Sequence, residues 1–115
     1  MNWYIVKLVF HIEIEAAENN RQFDEQLILV EAKTLDAAFS KARSKGKSEE
    51  VLFQNIRKKS VAWKFIDISE IHLLSGLNDG AQIYSSTHES EEANDYIRFV
   101  KQKALMLQSE QQVLV

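Results

Sequence analysis

Residues 2–15 read NWYIVKLVFHIEIE. Tyr4, Val6, Leu8, Phe10, Ile12 and Ile14 recur at period two, the spacing of side chains on one face of a β-strand. The other face carries Trp3, Ile5, Lys7, Val9, His11, Glu13 and Glu15, apolar at its start and polar at its end. One face therefore needs cover along its whole length, the other only near the N-terminus. Fourteen extended residues span ~46 Å at ~3.3 Å each. A compact chain of 115 residues has a diameter of only about 35 Å. Such a strand must bend, coil or project, and a projecting apolar face calls for a partner.

Working outward, residues 26–32 hold the run Leu27, Ile28, Leu29, Val30. Four apolar residues in sequence predict a strand buried on both faces and central in a sheet, antiparallel to the first. Residues 34–45 predict a helix capped by Thr34, with Asp36 at its positive end and the stripe Leu35, Ala38, Phe39, Ala42. Gly46 reads as its left-handed terminator. Residues 50–56 and 61–68 predict two strands joined by the basic turn Arg57-Lys58-Lys59-Ser60, the second running on past a bulge near Ser69. A short strand is expected over 81–85. A last helix follows a capping box at Ser86-Thr87-His88-Glu89, with Ser90 as a competing cap. Its stripe is Ala93, Tyr96, Ile97, Val100, Ala104 and Leu107, with Phe99 and Met106 as a second seam.

The order β-β-α-β-β-β-α predicts an α+β fold: a mostly antiparallel sheet of about five strands with two helices packed on it. A single domain is expected over 1–108, with 109–115 as a frayed tail. The 45% hydrophobic and 27% charged fractions are those of ordinary globular chains. No apolar run nears the ~20 residues that cross a bilayer, and the alternating N-terminus does not read as a signal peptide. A cytoplasmic location without membrane contact is expected. Absence of cysteine removes disulfides, thiolate metal sites and cysteine nucleophiles. Charge is uneven: residues 41–64 hold eight Lys or Arg against two Glu, leaving the rest of the chain acidic. Such blocks suit a charged partner or head-to-tail pairing of subunits.

The motifs Trp3-Tyr4-x-x-Lys7-Leu8-x-Phe10, Phe23-Asp24-Glu25-Gln26, Glu31-Ala32, Trp63-x-Phe65 and Asp79-Gly80-Ala81-x-Ile83-Tyr84-Ser85 carry a resemblance over residues 2–86. Together they resemble a family of small bacterial domains described only as a domain of unknown function. The resemblance implies a bacterial, cytoplasmic protein and supplies no catalytic residues.

His11 and Glu13 lie two apart on one strand, and Glu70 and His72 two apart on another. If those strands were neighbours, the four could converge on a metal and serve a small metal-dependent hydrolytic enzyme. The plainer reading places them as solvated positions at a sheet margin. No G-x-S-x-G, H-E-x-x-H or phosphate-binding glycine loop is present, so no catalytic residue or cofactor site is assigned. Arg43, Lys45, Lys47, Arg57, Lys58, Lys59 and Lys64, beside Phe53 and Trp63, are the feature nucleic acid would use. A charged helix end and a hairpin turn account for them as well. Trp3, Ile5, Phe99 and Met106 are the candidates for an interface between subunits. The long strand, the Phe99/Met106 seam and the split charge together predict a non-enzymatic binding or assembly module acting as a homodimer, with another bacterial protein as the alternative partner.

Overall fold

A computed structural model describes the backbone of residues 1–114 and the side chains of residues 1–110. Its elements are β1 (Asn2–Ile14), β2 (Gln22–Ala32), α1 (Leu35–Ser48), β3 (Val51–Gln54), β4 (Ser60–Leu74) and α2 (Ala93–Leu114). The chain divides into two compact units, Met1–Tyr84 and Ser85–Val115, each described by itself.

The first unit is an α+β fold with an antiparallel sheet ordered β2-β1-β4-β3. Alternation in β1 works as expected, because Tyr4, Val6, Leu8 and Phe10 are buried against Val30, Ala32 and the α1 residues Ala38 and Ala42. β1 does not project. It pairs with β2 from Asn2 to Ile12 and with β4 from Trp3 to Ile14. Two bulges in β4 accommodate its length. Lys7 faces Glu70 while Leu8 faces Ile68, so Ser69 is the extra residue; Val9 faces Asp67 while Phe10 faces Phe65, so Ile66 is another. Each bulge increases local twist and coils the strand pair. The amides just before the extra residues find carboxylate acceptors: Phe65 N–H donates to Glu50 Oε2 at 3.0 Å and Ile68 N–H to Asp67 Oδ1 at 2.8 Å.

β2 is an edge strand, contrary to the central position expected from its apolar run. The centre belongs to β1 and β4, each of which pairs with a strand on both sides. Ile28 and Val30 turn toward the core, while Leu27 and Leu29 remain about half exposed. β2 also begins earlier than expected, at Gln22.

Thr34 caps α1, its hydroxyl accepting from Ala37 N–H at 3.1 Å. Gly46 does not terminate this helix. It is buried within the last turns, which continue to Ser48. The expected fifth strand over 81–85 does not form: Gly80 turns at φ +82° and residues 81–84 run irregularly. Their side chains, not a backbone ladder, hold them to the sheet. In the second unit α2 starts at Ala93, later than either expected cap, with Tyr96 N–H donating to the Glu92 carbonyl at 3.1 Å. The segment expected as a tail from 109 is helical as far as Leu114, and its last residue lies outside the described residues.

Candidate functional site

The sheet face opposite α1 carries the polar residues on which any chemistry would depend. Lys7 lies on it because its neighbours Val6 and Leu8 both turn into the core. Lys7 Nζ stands 3.4 Å from Glu70 Oε2 and 4.0 Å from Glu25 Oε2. Tyr84, at the end of the irregular segment, donates its hydroxyl to the Glu70 carboxylate at 2.8–2.9 Å. The His72 ring meets the Tyr84 ring edge-on, with centroids 5.5 Å apart. The Tyr84 hydroxyl, and after it Lys7, hold the Glu70 carboxyl below its usual range. Its hydrogen bond to Glu70 raises the Lys7 ammonium above the usual lysine range.

Beside this cluster, Leu77 and Ile83 roof an apolar cavity of about 210 Å³ walled by Ile5, Leu27, Leu29 and Leu74. The segment 75–84 therefore lies across the end of the sheet that β1 leaves apolar. Glu70 works as its fastening point, because both carboxylate oxygens are taken by the Tyr84 hydroxyl and Lys7.

A second cluster lies farther along β1. His11 stacks on Phe23 at 5.0 Å, and its Nε2–H donates to the Asn20 carbonyl at 2.9 Å. Its Nδ1 is 3.3 Å from Glu13 Oε1, and the other oxygen of Glu13 pairs with Lys64 Nζ at 3.1 Å. Lys64 is the main cause of the lowered Glu13 pKa, with a smaller contribution from His11. Asn20 Oδ1 accepts from Ile14 N–H at 2.9 Å, closing the β1–β2 turn against this cluster.

β1 and β4 are indeed neighbours, so the two His/Glu pairs share one face. Register separates them. Glu70 sits opposite Lys7 and Lys64 opposite His11, which puts the pairs about 13 Å apart along the strands. Among the described residues no three His, Asp or Glu side chains form a group that could hold a metal ion. The basic segment is similarly divided. Arg43 forms a bidentate pair with Asp67 at 3.0 Å, Lys45 pairs with Glu49, Lys47 with Glu50, and Lys41 Nζ donates to the Glu31 carbonyl. Half of its eight cations, Arg43, Lys45, Lys47 and Lys64, face acidic neighbours, where phosphate binding calls for a continuous positive surface.

Of the four interface candidates, Ile5 is 5% exposed and forms cavity wall; Trp3, Phe99 and Met106 stay exposed. Sequence reasoning missed Lys7 and Tyr84 as the partners of Glu70. A lone cation inside an apolar strand was the available signal for Lys7. Nothing in the sequence marked Tyr84, whose role depends on the path of an irregular segment. Among the described residues no helix is long and apolar enough to cross a membrane.

Searches of curated proteins and of solved structures returned no match. A family model does match, over residues 3–85, and is described as "Domain of unknown function (DUF4288)". The match runs from the first residues of β1 to the residue after Tyr84, spanning the whole sheet, α1 and the segment that Glu70 fastens, and stopping before α2. On that evidence the chain belongs to the DUF4288 family.

Proposed function

We propose that the protein is a non-enzymatic protein-binding or assembly module that acts as a homodimer. One observation carries this reading: α2 leaves Tyr96, Ile97, Phe99, Val100, Leu105, Met106 and Leu107 between 43% and 64% exposed. All but Leu105 share one half of the helix surface at 3.6 residues per turn, and exposed apolar surface of that kind marks an interaction site. β1 is paired within its own sheet, and half of the cations of the basic segment are spent on neighbouring carboxylates. Neither polar cluster pairs a nucleophile with a free base, since Glu70 and Glu13 are both engaged by lysines. Binding, not turnover, is what this surface supports.

Light scattering on purified protein over a dilution series tests the reading. A species of twice 13.3 kDa that dissociates on dilution is the expected result. A 13.3 kDa species persisting at high micromolar concentration overturns it.

A further inference from the structure

We propose that the cavity beneath Leu77 and Ile83 takes up a short aliphatic amine, its hydrocarbon chain inside and its ammonium at Glu25. The described residues that line this cavity all belong to the first unit, and the inference is independent of how the chain associates. Those residues are entirely aliphatic, with Ile5, Leu27, Leu29 and Leu74 as walls. Packed protein interiors leave few voids larger than a water molecule. This one measures about 210 Å³, against the ~150 Å³ of an apolar cavity that stays dry and takes up benzene. Water is poorly held there, because a retained water needs ~2–4 polar partners. The larger volume has room for a linear chain of about six to eight carbons.

The roof permits entry. Residues 75–84 cross the end of the sheet without joining its ladder, and the Tyr84 hydroxyl on Glu70 fastens their far end. Charge beside the cavity selects the head group. Lys7 lies opposite Leu27 in the β1–β2 register, and Glu25 comes next after Leu27 on the same face of β2. Lys7 stands between Glu70 at 3.4 Å and Glu25 at 4.0 Å. Two carboxylates about one ammonium leave net negative charge at the Leu27 end of the cavity. Glu70 is taken by Tyr84 and Lys7, whereas Glu25 makes the longer pair and its side chain is 60% exposed. A carboxylate head would meet repulsion there; an ammonium head gains a partner.

Full-length protein with isotope-labelled Ile and Leu methyl groups is titrated with straight-chain amines from butylamine to decylamine. The methyl resonances of Ile5, Leu27, Leu29, Leu74, Leu77 and Ile83 are expected to shift together. Affinity should rise about fourfold for each added methylene and level off at about eight carbons, where the chain outgrows the cavity. Octanoate should bind about tenfold more weakly than octylamine, and Glu25→Gln should narrow that gap. Leu29→Phe and Leu77→Trp fill the space from opposite sides, and each should weaken octylamine binding about tenfold. Absence of shifts at these methyl groups overturns the proposal, whether the cavity is closed or held by residues 85–115. Affinity that climbs steadily through decylamine indicates a flat apolar face and overturns the cavity. Octanoate binding as tightly as octylamine overturns the role of Glu25. Filled variants that keep the parent's circular dichroism and its affinity for octylamine also overturn the site.

Discussion

Gly46 presents its α-carbon to the ring of Phe65, so closely that a Cβ built there would lie 2.6 Å from Cδ1 and 2.7 Å from Cζ. The ring in turn packs on Phe10 at 5.5 Å, so the missing side chain lets α1 settle on the middle of the sheet. Gly46→Ala should improve local helix propensity by ~1 kcal/mol, yet overpacking costs typically ~1–3 kcal/mol. Net destabilisation is expected in urea unfolding, and Phe65→Leu in the same chain should recover part of it.

At the β3–β4 turn Lys58 adopts φ 60°, a left-handed conformation. Asn55 supports the turn by accepting from Arg57 N–H at 2.9 Å and Lys59 N–H at 3.1 Å. An L-residue pays ~1–2 kcal/mol for that conformation, and glycine returns ~0.5–1 kcal/mol of it as unfolded-state entropy. Lys58→Gly should therefore raise the unfolding midpoint slightly, whereas Asn55→Ala should lower it.

The first unit should lose stability in acid through named carboxylates. Glu70, Glu13 and Asp67 all have pKa values lowered in the fold, chiefly by the Tyr84 hydroxyl, Lys64 and Arg43 respectively. A depressed carboxylate stabilises fully above its unfolded pKa and loses that contribution as pH falls through the folded value. Thermal unfolding should thus be flat near neutrality and fall from the ordinary carboxylate range downward. Glu70→Gln should show a shallower decline than the parent chain.

Tyr84→Phe keeps the ring against His72 and removes the hydroxyl from Glu70. Amide hydrogen exchange should quicken across residues 75–84 while β1 and β4 stay protected. If exchange quickens throughout the sheet instead, the segment is an integral part of the core and not a strap over it.

Which of these features were legible in the sequence follows from how local they are. The apolar face of residues 4–10 is a period-two pattern, and burial of one sheet face is what creates such a pattern. The bulge at Ser69 was legible because the apolar phase slips between Ile68 and Ile71. The bulge at Ile66 was not, since an isoleucine at the extra position leaves the run apolar. Gly46 near a helix end reads as a terminator until the Phe65 ring is placed above it. The His11/Glu13 and Glu70/His72 pairs, read as solvated positions at a sheet margin, lie on the two central strands with paired carboxylates. Their separation depends on strand register, which two bulges shift and which no residue type announces. For β2, composition alone could not distinguish a strand covered on both sides from one at the margin.

The marginal position of β2 has a cost in handling. Its outer rim runs for 11 residues with neither a proline nor a register shift, and among the described strands only β1 pairs with it. Unsatisfied amides and carbonyls along such a rim accept any extended chain, including that of a neighbouring molecule in a concentrated or gently heated sample. Asp24, Glu25 and Glu31 are the charges set along this border. Neutralising them in acid would remove the repulsion that keeps one sheet from growing onto the next.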